Sequence, residues 1–189
     1  MNIKTIKIVT IGDYGVGKTT LLMTYTASGS FPQEYVPTAL DNFIHEATIN
    51  GKKASLSIWD TAGGEYYHEL RPLIYPETDI LLLLFAIENR ESFLHIKTNW
   101  ITEINQYIPG IPIILVGTKI DLRDSDLIKD KSNFVKYKEG LALSKEIGAS
   151  HFCECSSRMN LGLEELFKKV IKLTNNNNNN NNNNKCIIL

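Results

Sequence analysis

Residues 12–19 read Gly-Asp-Tyr-Gly-Val-Gly-Lys-Thr, an unbroken G-x-x-x-x-G-K-[ST] string. Few patterns restrict a fold so tightly. The glycines let successive main-chain N–H groups turn toward one point, which requires a strand leading into the turn and a helix N-terminus leading out. The flanks supply both: Ile6 to Ile11 is an apolar run rich in β-branched residues, and helix-compatible residues follow Thr19. In such a turn the amides around Asp13, Tyr14, Gly15, Val16, Gly17 and Thr20 face the phosphates. Lys18 brings a point charge to the β- and γ-phosphates, and the Thr19 hydroxyl ligates Mg²⁺. The expected ligand is a nucleoside triphosphate; kinases, ATPases and GTPases all use this turn, so it does not select the base.

The rest of the chain reads as alternating strands and helices. Phe43 to Ile49 and Ala54 to Asp60 alternate apolar and polar residues around Asn50-Gly51, which predicts an antiparallel hairpin. Ile80 to Ile87, Ile111 to Gly117 and Ser150 to Ser156 are short apolar runs suited to strands buried on both faces. Phe93, Ile96, Trp100, Ile104 and Ile108 repeat at helical spacing, as do Leu163, Leu166, Phe167, Val170 and Ile171, with Asn160 expected as a cap. Both stripes are expected to pack into the core. The order β, α, ββ, α, β, α, β, α, β, α predicts an α/β domain of three layers, with a six-stranded, mostly parallel sheet and one antiparallel edge strand. Ligands of such sheets sit at the carboxyl ends of the strands. All motifs below fall there.

Thr118-Lys119-Ile120-Asp121 follows one of the predicted strands. A carboxylate in the plane of a purine accepts two hydrogen bonds from the N1–H and exocyclic amine of guanine, a pair adenine lacks. Asp121 is therefore expected to choose guanine, with Lys119 lying over the base. The string is weak alone and strong at this distance past a phosphate-binding turn.

With these motifs the chain resembles the Ras superfamily, and within it the Rho/Rac family of P-loop GTPases, from about Ile6 to Leu173. Tyr35-Val36-Pro37-Thr38 resembles switch I, and Trp59-Asp60-Thr61-Ala62-Gly63 the start of switch II. Thr118 to Asp121 and Cys155-Ser156-Ser157 resemble the guanine motifs. Leu122-Arg123-Asp124 and the polar stretch to Glu139 resemble a shortened Rho-type insert, at about 124–139.

The resemblance implies a G domain over 1–174 that binds GTP and GDP with Mg²⁺. It implies that Thr38 closes over the metal and the γ-phosphate, and that Asp60 holds the metal through water. The Gly63 N–H would meet the γ-phosphate, Phe31 would pack on guanine, and Ser156 and Ser157 would belong to the guanine site. Residues 35–43 (Tyr35, Val36, Pro37, Thr38, Ala39, Leu40, Asp41, Asn42 and Phe43) would present to effector proteins. Rho-type exchange factors, GTPase activators and dissociation inhibitors are the other implied partners of a monomeric switch, acting on the actin cytoskeleton.

Three positions depart from that pattern. After Asp-Thr-Ala-Gly the family places the glutamine that, in Ras-type enzymes, orients the attacking water while an arginine finger from an activator assists phosphoryl transfer. Here the residue is Gly64, and the next, Glu65, would meet the triphosphate with like charge. Tyr14 stands where the family has glycine, in the path of the finger. Two changes striking one step predict slow GTP hydrolysis and weak response to activators, with no catalytic residue assigned; the competing reading is that Tyr14, Tyr66 or His68 supplies a substitute, leaving an ordinary cycling switch. The alternative reading is a binding module that stays loaded with GTP; a third, a P-loop kinase or ATPase, is opposed by the guanine motif. Leu40 replaces an aromatic effector anchor, so the usual effector set is not expected.

Asn175 to Asn184 is a run of asparagines with nothing apolar to bury, expected as a disordered tail over 175–189. Cys186-Ile187-Ile188-Leu189 fits C-a-a-X, whose leucine favours geranylgeranylation of Cys186. One lipid beside the single basic Lys185 predicts weak, reversible attachment to the cytoplasmic face of a membrane, the plasma membrane being expected, with a cytosolic pool. The net charge of −1 gives no bulk attraction to nucleic acid or anionic lipid. Three cysteines without a framework spacing argue against a disulfide scaffold, so Cys153 and Cys155 are expected reduced. The N-terminus has no apolar region of signal-peptide length.

Overall fold

The architecture comes from a computed structural model that describes residues 4–33, 40–49, 52–64 and 67–183. Among these, six strands form one sheet in the order β2-β3-β1-β4-β5-β6. The strands are β1 (Lys4–Gly12), β2 (Leu40–Ile49), β3 (Lys52–Thr61), β4 (Ile80–Ala86), β5 (Ile113–Thr118) and β6 (His151–Glu154). Only β2 runs antiparallel, pairing Leu40 with Thr61 and Phe43 with Ile58; the turn that joins it to β3 lies outside the described residues. Parallel pairing sets Thr10 beside Asp60, Gly12 beside Leu84, Ala86 beside Thr118 and Gly117 beside Glu154. The carboxyl ends of β1, β3, β4, β5 and β6 therefore share one edge.

Strand periodicity divides the core in two. Ile6, Ile8, Leu82 and Leu84 face α1 (Lys18–Thr26) and α5 (Leu163–Asn183), where Leu21, Leu22, Phe167 and Val170 close the layer. Val9, Ile11, Leu81, Leu83 and Phe85 face the opposite layer, with Ile96, Trp100, Ile104 and Leu143. That layer is built from α2 (Arg90–His95), a π-helical turn at Ile96–Trp100, α3 (Ile101–Tyr107) and α4 (Tyr137–Glu146). The domain is thus a three-layer α/β structure of Ras-like form. No helix among the described residues is long and apolar enough to cross a membrane.

Four expectations need correction. The stripe from Phe93 to Ile108 is not one regular helix: the π-turn interrupts it, though Ile96, Trp100 and Ile104 are buried as expected. Between β3 and β4 the described residues hold only a 3₁₀ turn at Arg71–Leu73 in place of a helix, with Pro72 limiting the backbone there. Asn160 does not cap α5. It takes a left-handed conformation at φ 50°, which its short amide side chain tolerates, and the helix starts three residues later. Finally, α5 continues into the asparagine run as far as Asn183. Extending an established helix avoids the nucleation penalty, so a polar run can prolong a helix that an apolar stripe has started. Thr174 is buried, its hydroxyl donating to the Val170 carbonyl at 3.1 Å, and Asn175 is exposed.

Of the expected insert at about 124–139, residues 124–136 contain no helix, and α4 takes up the remainder from Tyr137. The helix-free part is pinned from both sides. Arg90 pairs with Glu139 and donates to the carbonyls of Asn133 and Phe134, while Arg123 pairs with Glu154 and donates to the carbonyl of Val135.

Candidate nucleotide site

The turn after β1 forms because its glycines accept backbone conformations closed to other residues. Gly12, Gly15 and Gly17 have φ of 143°, 76° and 95°. A Cβ on Gly12 would lie 2.3 Å from the Leu84 carbonyl oxygen, so the chain can turn there only without a side chain. Val16 is fully buried and anchors the turn in the core; its carbonyl accepts from the Thr118 hydroxyl at 2.6 Å. Gly17 begins α1 with no side-chain cap and no acidic residue in the first turn. The first helical N–H groups and the positive end of the dipole thus face the loop, the arrangement that receives an anion.

Lys18 is buried, and its Nζ donates to the carbonyls of Gly12 and Asp13, each at 2.8 Å. Burial lowers its pKa to about 8, against the opposing pull of Asp60 and Asp13. Its charge is held inside the loop that would wrap the phosphates. The Thr19 hydroxyl donates to Asp60 Oδ2 at 2.5 Å. Two hard oxygens from α1 and β3 therefore converge beside the loop. One carboxylate and one hydroxyl suit Mg²⁺, which takes few protein ligands and completes its shell with phosphate and water.

Beside the loop opens a cavity of about 220 Å³ lined by Gly17, Thr20, Phe31, Thr118, Lys119, Asp121, Leu122, Ser157 and Arg158. Lys119 reaches it through a left-handed backbone at φ 61°, and its Nζ pairs with Glu88 at 2.6 Å. Asp121 is fixed at Oδ1 by the Ser156 hydroxyl at 2.6 Å; that hydroxyl in turn accepts from the Met159 N–H. Ser156 itself is fully buried and absent from the lining. It orients the carboxylate from behind, whereas Ser157 lies on the wall. Phe31, 42% exposed, offers an apolar face toward a base.

The start of the second switch segment abuts the phosphate loop. A Cβ on Gly63 would lie 2.4 Å from the Gly12 carbonyl oxygen and 2.5 Å from the Tyr14 amide nitrogen, so glycine is required by close approach of two backbones. Gly64 is different: among the described residues a Cβ there would meet only Tyr67, at 3.8 Å. Arg71 holds this stretch. Its Nη1 donates to the carbonyls of Ala62 and Gly64, and its other edge makes a bidentate pair with Glu103 at 3.0 and 2.7 Å. Tyr75 donates its hydroxyl to the same carboxylate. Burial alone would raise the Glu103 pKa, but these hydrogen bonds and the Arg71 charge outweigh it and hold the carboxyl below its ordinary value.

Thr38, with Tyr35, Val36, Pro37 and Ala39, lies outside the described residues, as does Cys186. Leu40, Asp41 and Asn42 are exposed at the start of edge strand β2, and Phe43 is half-buried. Sequence reasoning missed Leu122, Arg158, Glu88, Arg71 and Glu103. Arg158 was the most accessible of these, because it directly follows the Ser156-Ser157 motif.

The model of the Ras family matches residues 7–176. Rho-related protein racN of Dictyostelium discoideum is 47% identical over 175 residues, covering 93% of this chain and 78% of racN. GTP-binding protein rho3 of Schizosaccharomyces pombe is 41% identical over 168 residues, 88% of this chain and 82% of rho3. The phosphate loop, the Asp121 carboxylate fixed by Ser156 and this similarity over nearly the whole domain agree: the chain belongs to the Ras family and is, within it, a GTP-binding Rho-family small GTPase, a molecular switch.

Proposed function

We propose that this protein is a switch whose GTP-bound state is long-lived because its own hydrolysis is slow. One observation carries the reading: two of the three positions that depart from the Rho pattern, Tyr14 and Gly64, lie on the two backbone stretches that meet at Gly63. Gly63 packs against the Tyr14 amide, and Gly64 follows it with its carbonyl held by Arg71. Gly64 brings no side chain to orient a water. Tyr14 is 65% exposed on the phosphate loop, and its ring would obstruct a group supplied by an activator. In the Ras-type reaction an arginine finger contributes ~10³–10⁵ in rate, so loss of access to it alone prolongs the loaded state.

The ligand-handling roles are those the family resemblance implies, and the geometry of the described residues supports them. Lys18 and the α1 amides hold the phosphates of GTP or GDP. Thr19 and Asp60 hold Mg²⁺, joined by Thr38. The metal would screen charge between the β- and γ-phosphates. Asp121 reads guanine, and Phe31 and Lys119 flank the base. The γ-phosphate orders the segments around Thr38 and Gly63, and its loss releases them. Effectors read residues 35–43 while GTP keeps them ordered, with Leu40 altering the effector set; Rho-type exchange factors, GTPase activators and dissociation inhibitors are the other partners. A geranylgeranyl group on Cys186 gives reversible attachment to the cytoplasmic face of the plasma membrane, with the monomer also in the cytosol.

Single-turnover hydrolysis of bound GTP tests the central claim. Turnover should be slow, and a Rho-type activator should add little. The paired change Tyr14→Gly with Gly64→Gln should raise it, since the space at Gly64 accepts a side chain. A large activator-driven burst of phosphate from the unchanged protein would refute slow hydrolysis while leaving nucleotide binding intact. Asp121→Ala should abolish the preference for guanine over adenine nucleotides.

A further inference from the structure

His95 and Trp100 are five residues apart, and both reach one carboxylate. His95 Nδ1 lies 2.6 Å from Asp13 Oδ2, and the Trp100 indole N–H donates to Asp13 Oδ1 at 2.7 Å. In an α-helix, residues five apart stand ~140° apart around the axis and cannot share a partner. The π-turn at Ile96–Trp100 removes that separation, because its i→i+5 spacing stacks such residues on one face. This gives the turn a purpose beyond packing. Its apolar members, Ile96 and Trp100, are buried in the core as well.

Asp13 is well chosen as the point of attachment. Its carbonyl accepts from Lys18 Nζ, and its carbonyl carbon lies 2.4 Å from where a Gly63 Cβ would be. A face of the Trp100 ring supports Arg71, whose guanidinium carbon sits 4.7 Å from the ring centroid. Arg71 holds the carbonyls of Ala62 and Gly64. One indole thus contacts, by edge and by face, the groups that fix both backbones beside the phosphates.

We infer that His95 and Trp100 are positioning residues for nucleotide binding: through the Asp13 carboxylate they hold the phosphate loop against Gly63 in the conformation that grips the phosphates. The inference rests on the guanine-nucleotide reading of the site.

Release of a fluorescent GDP analogue from the full chain, with Mg²⁺ present, tests it. Trp100→Phe keeps the ring and removes the N–H; His95→Leu removes the second donor. Each should speed release about tenfold, the effect of one charge-assisted hydrogen bond. His95→Asn keeps a donor near the Nδ1 position and should restore the original rate. In an Asp13→Ala background neither change should add anything. Unaltered release in both single variants, or undiminished effects in that background, would overturn the proposal. If the unchanged protein takes up no GDP, the nucleotide reading and this inference fall together. A readout independent of the Trp100 variant uses the chain's two indoles. In nitrogen-15 spectra, Asp13→Asn should move the Trp100 indole resonance and leave that of Trp59, which donates to Ser57, in place. A stationary Trp100 resonance would also overturn it.

Discussion

Removing Glu103 should loosen the start of the second switch segment by a calculable amount. The side chains of Arg71 and Glu103 are only 6% and 10% exposed. Losing one partner of a buried pair leaves the other charge uncompensated, at a cost of ~3–5 kcal/mol. Arg71 would keep its hydrogen bonds to Ala62 and Gly64 and its position on the Trp100 face, which places Glu103→Ala near the lower limit, ~3 kcal/mol. With a urea slope of about 2–3 kcal/mol per molar for a domain of this size, the unfolding midpoint should fall by ~1–1.5 M at fixed GDP and Mg²⁺. The double change Arg71→Met with Glu103→Leu should recover only part of that loss: it removes the orphaned charge and keeps the volume, but it takes away the partners of the Ala62 and Gly64 carbonyls and of the Tyr75 hydroxyl. The pH dependence has a defined sign. Glu103 is held below its ordinary value of 4.5, so its stabilisation is present above that value and fades as pH falls through the depressed one. A midpoint shift for Glu103→Ala below ~0.3 M, corresponding to under about 1 kcal/mol, would refute the assignment of a buried, structurally coupled pair.

Other outcomes follow from single sites. Gly63→Ala forces a Cβ to within 2.4 Å of Gly12 and Asp13 backbone atoms, so it should cost ~1–3 kcal/mol of stability in thermal unfolding and weaken GTP binding in calorimetry. Lys18, lowered to about 8 from 10.5, makes the nucleotide-free fold more stable as pH rises from 8 toward 10.5, where the unfolded chain holds more protons. A bound phosphate favours its charged form. GTP uptake at pH 8.5 should therefore absorb ~0.7 proton, and affinity should fall as pH rises through 8; buffers of different ionisation enthalpy measure this, and zero uptake would refute it. Cys186→Ser should move the protein wholly to the soluble fraction on cell fractionation, whereas retention on membranes would place the anchor elsewhere.

Much of the molecule was legible in the residues because the signals were local. The Gly12–Thr19 turn, the apolar run of β4 and the alternation of β2 and β3 each depend on near neighbours, and they produced the layer order and the phosphate loop. Asp121 was legible for the same reason: its motif and the strand before it are contiguous. The π-turn was not, because the spacing of Ile96, Trp100 and Ile104 suits a regular helix equally well. The extension of α5 was missed because asparagine composition says nothing about a helix already started upstream.

What the chain determined by itself was chemistry in sequence: which residues can turn, pair, charge or pack. Tertiary structure decided which of these meet across long loops. Asp13 meets His95 and Trp100, Arg71 meets Glu103, and Ser156 meets Asp121 only because the sheet brings five strand ends to one edge and the helices close over it. Side-chain partners separated by tens of residues leave no periodic trace, since their contact depends on the three-dimensional path between them and not on local propensity.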